Sequence, residues 1–256
     1  MSGVLVIINR IFLFLTSFIF SASVWAHQPT VVVAANMKPA MDEIYQEYKN
    51  KTGQEFRIIY GSSGNLTRQI QQGAPFHLLI SADESFPLIL SKGGLTVDDG
   101  KIYAIGRLAF IANPSKKIHL TLNESDLKKM IQEANRVALA KPDLAPYGRA
   151  AIEVLTKLQV EQMARKKFVF GESISSVTSY VTSGAADIGL TAYSLAKTKP
   201  ASEKLNHLLI PESWHQPIRQ RMVLIKNPPP VVLDFYRFMQ SDQAKKILQF
   251  HGYGLP

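Results

Sequence analysis

Residues 30–36 read Thr-Val-Val-Val-Ala-Ala-Asn, and residues 61–64 read Gly-Ser-Ser-Gly. The first stretch is short, apolar and β-branched, the composition of a strand covered on both faces. Asn36 is a favoured helix N-cap. Met37, Ala40, Met41, Ile44, Tyr45 and Tyr48 then recur at helical spacing up to Gly53. Phe56 to Tyr60 reads as a second strand, residues 61–64 as a tight turn, and Asn65 to Gly73 as a second helix. Leu78 to Ser81 completes a β-α-β-α-β order, which predicts a parallel sheet with crossover helices.

The pattern then repeats. Arg107 to Ala112 is a strand ended by Asn113-Pro114, and Ser125 is read as the cap of a helix through Leu127 and Met130. Strands are expected at Val137 to Ala140, Phe168 to Phe170 and Ala186 to Leu190. Helices are expected after Pro146-Tyr147 and over Ile174 to Ser183. Met222 to Ile225 is read as a strand. Two helices close the chain, one holding Val232, Phe235, Tyr236 and Met239, the other capped by Ser241 and ending near Gly252. Two α/β units without a long linker imply two lobes. The chain is expected to cross between them near Leu108 and Met222, with a ligand crevice at the strand ends.

Composition narrows the function. The chain has 256 residues, 46% apolar and 19% charged, and no Cys. A disulfide scaffold, a thiolate metal site and a catalytic thiol are therefore excluded. Residues 1–26 read as a secretory signal: Arg10, an apolar run from Ile11 to Phe20, then Val24-Trp25-Ala26 with cleavage after Ala26. The apolar run is shorter than the ~20 residues a spanning helix needs. The expected mature chain of about 230 residues carries 28 Lys and Arg against 20 Asp and Glu, a net charge of +8. These cations are scattered and not interleaved with aromatics, so no nucleic-acid partner is expected. An exported, periplasmic monomer is the reading. Its segments are residues 27–107 (lobe I), 108–217 (lobe II) and 218–256 (lobe I again).

Four strand-to-helix turns carry small or hydroxyl residues: Ala35-Asn36, Gly61-Ser62-Ser63-Gly64, Ala145-Pro146-Tyr147-Gly148 and Ser173-Ile174-Ser175-Ser176. Helix starts present free N–H groups and the positive end of the dipole. Several aimed at one point make an anion site without Lys or Arg. Ser63 and Tyr147 can add O–H donors, and Asn36 an amide or backbone N–H. Each turn alone would be an ordinary cap or packing residue. Their conjunction is the signal.

An enzyme is the competing class. Ser63 is its obvious nucleophile, but Gly-Ser-Ser-Gly is not a Gly-x-Ser-x-Gly elbow. The six His residues show no metal-binding spacing. A binding protein for sulfate, phosphate, Fe(III) or a small organic anion is a second competitor, and a sensor is a third. A ferric site would need several converging Tyr or carboxylate oxygens, and only Tyr147 is well placed.

At these turns the sequence resembles the molybdate-binding proteins of ABC transporters. The resemblance rests on residues 31–36 and on Gly61-Ser62-Ser63-Gly64-Asn65-Leu66-Thr67-Arg68-Gln69-Ile70. It continues through Gly73-Ala74-Pro75, Ile80-Ser81-Ala82-Asp83 and Ala145-Pro146-Tyr147-Gly148-Arg149-Ala150-Ala151. It ends with Ala186-Asp187-Ile188-Gly189, Gln243-Ala244 and Gly252-Tyr253-Gly254, so that it spans nearly all of the mature chain. It implies a type II periplasmic binding protein fold, two α/β lobes closing on molybdate or tungstate, with a membrane permease as partner. There is no cofactor, and the metal is bound as its oxyanion rather than by side chains. Position by position it implies ligand contacts at Ala35, Asn36, Ser62, Ser63, Tyr147 and Ile174, those at Ala35 and Ile174 through backbone N–H. The chain resembles the branch with Asn at the first turn and Tyr in the Pro-Tyr-Gly turn, so Tyr193 is read as packing. Arg68 and Arg149 are read as structural or ion-paired. One departure is His77, where the family usually carries Asp.

Overall fold

A computed structural model describes residues 28–116 and 118–256. The leader read at residues 1–26 lies outside them. Ten strands, β1 (Thr30–Ala34), β2 (Arg57–Gly61), β3 (Leu78–Ile80), β4 (Lys101–Gly106), β5 (Leu108–Ala112), β6 (Val137–Ala140), β7 (Phe168–Gly171), β8 (Ile188–Ala192), β9 (Asn206–Leu209) and β10 (Ile218–Leu224), form two five-stranded sheets. The helices, in chain order, are α1 (Lys38–Thr52), α2 (Ser63–Gln71), α3 (Ser85–Lys92), α4 (Glu124–Glu133), α5 (Pro146–Lys157), α6 (Glu161–Ala164), α7 (Ile174–Thr182), α8 (Tyr193–Ala196), α9 (Lys199–Ser202), α10 (Pro230–Phe238) and α11 (Asp242–Phe250).

The first sheet has the order β2-β1-β3-β10-β4 and the second β7-β6-β8-β5-β9. Each keeps three parallel strands on one side, β2-β1-β3 and β7-β6-β8, but neither is wholly parallel as the alternation predicted. Strand β10 runs antiparallel to β3 and β4, and β5 runs antiparallel to β8 and β9. The reason is connectivity. A strand that arrives from the other sheet enters without a crossover helix, so nothing forces it to run parallel. The first crossing is the single residue between β4 and β5. The second lies between Leu209 and Ile218 and leads into β10, the strand that contains Met222.

Strand β1 is buried along its whole length, as its Val run requires. Its neighbour α1 buries Ala40, Met41, Ile44 and Tyr48 and stops at Gly53, whose φ of 68° is left-handed and whose N–H returns to the Lys49 carbonyl at 2.8 Å. The C-terminal helices come back to this first sheet. Phe235 of α10 packs its ring 4.7 Å from Phe56 and 5.2 Å from Tyr48. Burying such a ring contributes about 1.5–3 kcal/mol, which ties the end of the chain to its beginning. A separate apolar cluster fills the second sheet around Phe110, Leu139 and Leu190.

Several local expectations are corrected. Asn36 is not an N-cap: a 3-10 turn, Ala35–Met37, precedes α1, and the Asn36 side chain makes no capping bond. The cap of α4 is Asn123, which accepts the Asp126 N–H at 3.1 Å, not Ser125. Ser241 does cap α11, accepting from Ala244 at 3.3 Å. Strands β4 and β9 and helix α3 were not anticipated. Among the described residues no helix is long and apolar enough to cross a membrane.

His77 shows how the departure from Asp is accommodated. Its Nδ1 accepts the Thr30 N–H at 3.1 Å, at the start of β1. The neutral ring thus does the accepting that a carboxylate would do, and burial lowers its pKa. A His whose folded pKa lies below the unfolded ~6.5 stabilises the fold above that pH and loses the contribution as pH falls from there towards the folded pKa. The melting temperature should therefore decline between pH 7 and 5, and His77→Gln, which keeps an acceptor but cannot titrate, should decline less. Identical pH profiles in a thermal melt would contradict this assignment.

Candidate functional site

Ala35, Asn36, Ser62, Ser63, Tyr147 and Ile174, the six residues singled out from four separate turns, line one cavity, together with Ala34, Gly61, Ala82, Ala145 and Pro146. No charged side chain is among them. About 10 Å³ is open there to the centre of a water-sized body. That is about the room for one water molecule, far below the ~300–1,000 Å³ of organic ligand sites. Larger hollows of about 400 and 280 Å³ exist, near Lys116 and Asp187 and near Arg149 and Glu153, but both have acids and bases in their walls.

The donors follow from how the helices begin. Helix α2 starts at Ser63, α5 at Pro146 and α7 at Ile174, and none has a side-chain cap. Their first N–H groups have no partner within the helix. Uncapped starts occur elsewhere in this chain, so one alone marks nothing; three meeting the Ala35-Asn36 turn at one small cavity do. Ser62 occupies the N-cap position of α2, yet its buried Oγ has no hydrogen-bond partner. The Ser63 hydroxyl accepts the Ala82 N–H at 3.0 Å, so its own proton remains available.

The Asn36 side chain is bonded to Gln220 rather than standing alone. Asn36 and Gln220 are both fully buried. Asn36 Nδ2 donates to Gln220 Oε1 at 3.1 Å and to the Tyr253 hydroxyl at 2.9 Å. Gln220 Nε2 donates to the Tyr147 hydroxyl at 2.9 Å. Asn36 Oδ1 is buried without a partner. The phenol of Tyr147 therefore sits in a polar network beside the cavity. Burial raises the pKa values of Tyr103, Tyr147 and Tyr253, so all three stay protonated and neutral.

Elements from the two sheets meet directly around the cavity. The Gly64 N–H donates to the Leu144 carbonyl at 2.9 Å. Ser175 Oγ donates to the Ala35 carbonyl at 3.2 Å, and Ser194 Oγ to that of Asn36 at 3.0 Å. Asp83, one residue from Ala82, is paired with Arg149 and accepts from Ser81 Oγ at 3.0 Å. The carboxylate beside the cavity is thus neutralised. Tyr193 packs as expected, its ring 6.0 Å from that of His207. Arg68 is exposed and donates to Asn65 at 3.2 Å. Among the described residues no group of three or more His, Cys, Asp or Glu could hold a metal ion.

The bacterial extracellular solute-binding protein pattern matches residues 29–254. The chain belongs to that family. Its type II periplasmic binding protein fold is likewise shared. The molybdate-binding protein ModA of Rhodobacter capsulatus is 32% identical over 233 residues, 89% of this chain and 88% of the relative. ModA of Azotobacter vinelandii is 29% identical over 251 residues, covering 97% of this chain and 98% of the relative. The solved Azotobacter vinelandii periplasmic molybdate-binding protein superposes with a TM-score of 0.77 at 28% identity, over 90% of this chain and all of that one.

Gln220, Tyr103, Ser194 and Tyr253, which belong to the polar network beside the cavity, were not singled out from the sequence. Gln220 had a signal: in Ile218-Arg219-Gln220-Arg221-Met222 strand alternation puts a polar residue on the buried face. Close packing at the crossing is strict. A Cβ on Gly106 would stand 2.4 Å from the Tyr147 hydroxyl and 2.5 Å from Gln220 Nε2. Gly106→Ala should lower stability by about 1–3 kcal/mol in urea unfolding, and an unchanged midpoint would show that this contact is not tight.

Proposed function

We infer that this chain captures molybdate or tungstate outside the cytoplasm and delivers it to the membrane permease of an ABC importer. The observation that carries the reading is the meeting of uncapped helix starts and the free Ser62 hydroxyl at one small cavity without a charged side chain. The names of the relatives point to the same cargo.

In this reading backbone N–H groups of Ala35, Asn36, Ser63, Tyr147 and Ile174, with the hydroxyls of Ser62 and Ser63, surround the oxyanion. Fixed N–H dipoles in a site shielded from water bind a dianion without the desolvation cost of burying a cation. No carboxylate lines the cavity, so a phosphate that keeps a proton finds only neutral acceptors such as Asn36 Oδ1 and the Ser62 hydroxyl. Sulfate has the same charge and shape but is smaller, so it is rejected by fit. Tight fit requires both lobes. We take these as residues 27–107 with 218–256, and 108–217. Occupied by the anion, they are drawn together, and the closed form is what a permease recognises. Residues 1–26 serve as the export signal, and the protein acts as a monomer in the periplasm.

Ligand linkage supplies the test. At a hundredfold excess over Kd a ligand stabilises by about 2.7 kcal/mol, which for a chain of this size corresponds to a melting-temperature rise of roughly 5–10 °C. Molybdate and tungstate should produce that rise and sulfate at the same concentration should not. A flat response to both metal oxyanions would overturn the assignment.

A further inference from the structure

Gln220 is polar, fully buried, and not among the residues that line the cavity. It sits on β10, the strand by which the chain returns to the first sheet. The register against β4 shifts between Gln220 and Arg221, and such a bulge re-aims a side chain. Here the amide reaches three groups. Its Oε1 accepts from Asn36 Nδ2 at 3.1 Å and lies 2.7 Å from the Tyr103 hydroxyl, which is also 2.8 Å from the Ser81 carbonyl. Its Nε2 donates to the Tyr147 hydroxyl at 2.9 Å.

Asn36 belongs to the turn that opens α1, and Tyr147 to the first turn of α5. The Asn36 turn follows β1 of the first sheet, α5 follows β6 of the second, and both turns line the cavity. A single side chain therefore bridges two turns that line the cavity, one from each sheet. Resting on the proposed oxyanion reading, we propose that Gln220 is a positioning residue of the site: without touching the ligand, it sets the separation of the Asn36 and Tyr147 turns and so the size of tetrahedron the cleft accepts. Its own placement is over-determined. Two groups meet its oxygen, one meets its nitrogen, and Gly106 leaves room for the amide where a Cβ would not. A glutamine held this way is a spacer of fixed length.

The chemistry gives distinct variants. Gln220→Met keeps the length and volume but makes none of the three bonds. Tyr147→Phe keeps the backbone N–H at the cavity and removes the hydroxyl that Gln220 holds. Tyr103→Phe leaves Gln220 in place but frees one side of its oxygen, from a residue that does not line the cavity. Each protein is titrated with molybdate calorimetrically, well below its own melting temperature, so that the affinity measured is that of folded protein. The wild type is titrated first. If it binds no oxyanion, the proposed function falls and the positioning role is void with it. If it binds, Gln220→Met should weaken molybdate binding by about tenfold to a hundredfold, and Tyr103→Phe by a smaller factor in the same direction. The Gln220→Met, Tyr147→Phe double variant should lose no more than the weaker-binding single variant, because the two act through one bond. A merely structural glutamine would lower the melting temperature and leave Kd unchanged. Unchanged Kd in Gln220→Met, or fully additive losses in the double variant, overturns the proposal. Should Gln220→Met not fold, Tyr103→Phe decides: an affinity equal to that of the wild type overturns it.

Discussion

A helix start buried without a cap leaves N–H groups that have given up water and gained nothing. Each such group costs on the order of 1–3 kcal/mol, and most helices avoid this with a side chain or an exposed terminus. This chain places several uncapped starts around one small cavity and lets Ser62, the residue best suited to cap, leave its hydroxyl unpartnered. The rest of the architecture serves that constraint. Two mixed sheets present their strand ends to each other, because only strand ends feed helix starts. Two crossings hold the sheets together, because one would let the starts drift apart.

The floor of the cavity explains how the starts stay aligned. Asn36, Gln220, Tyr147, Tyr103 and Tyr253 form a buried polar network drawn from five distant stretches of chain. Burial keeps its phenols neutral, so the network adds no charge beside the proposed oxyanion. Partly satisfied networks are costly and fully satisfied ones specify geometry. Here Asn36 Oδ1 is left without a partner, a cost tolerated where geometry matters more than stability. The pair Asp83–Arg149 does complementary work by cancelling the carboxylate near the opening.

Much of this was legible from local rules. Val31 to Ala34 could be a strand only in a covered sheet, and the spacing from Met37 to Tyr48 could be only a helix. The four turns announced themselves through Gly, Ser, Pro and Asn at strand-to-helix junctions, and all six residues chosen from them face one cavity. What misleads is also local. Asn36 reads as a cap because Asn usually is one, and Ser125 reads as one although Asn123, two residues earlier, takes the role. Strand β9 escapes notice because Asn206 and His207 are exposed on an edge, where no apolar alternation is needed.

Sequence alone determined the type and order of most elements and the residues of each turn, because periodicity, capping preference and backbone freedom act over a few residues. Only tertiary structure decided that β10 and β5 run antiparallel, that Asn36 turns inward to Gln220, and that Tyr147 answers it from the other sheet. Those two side-chain contacts join residues 184 and 73 positions apart, and no short-range rule can see a partner that distant: it exists only once both sheets have closed.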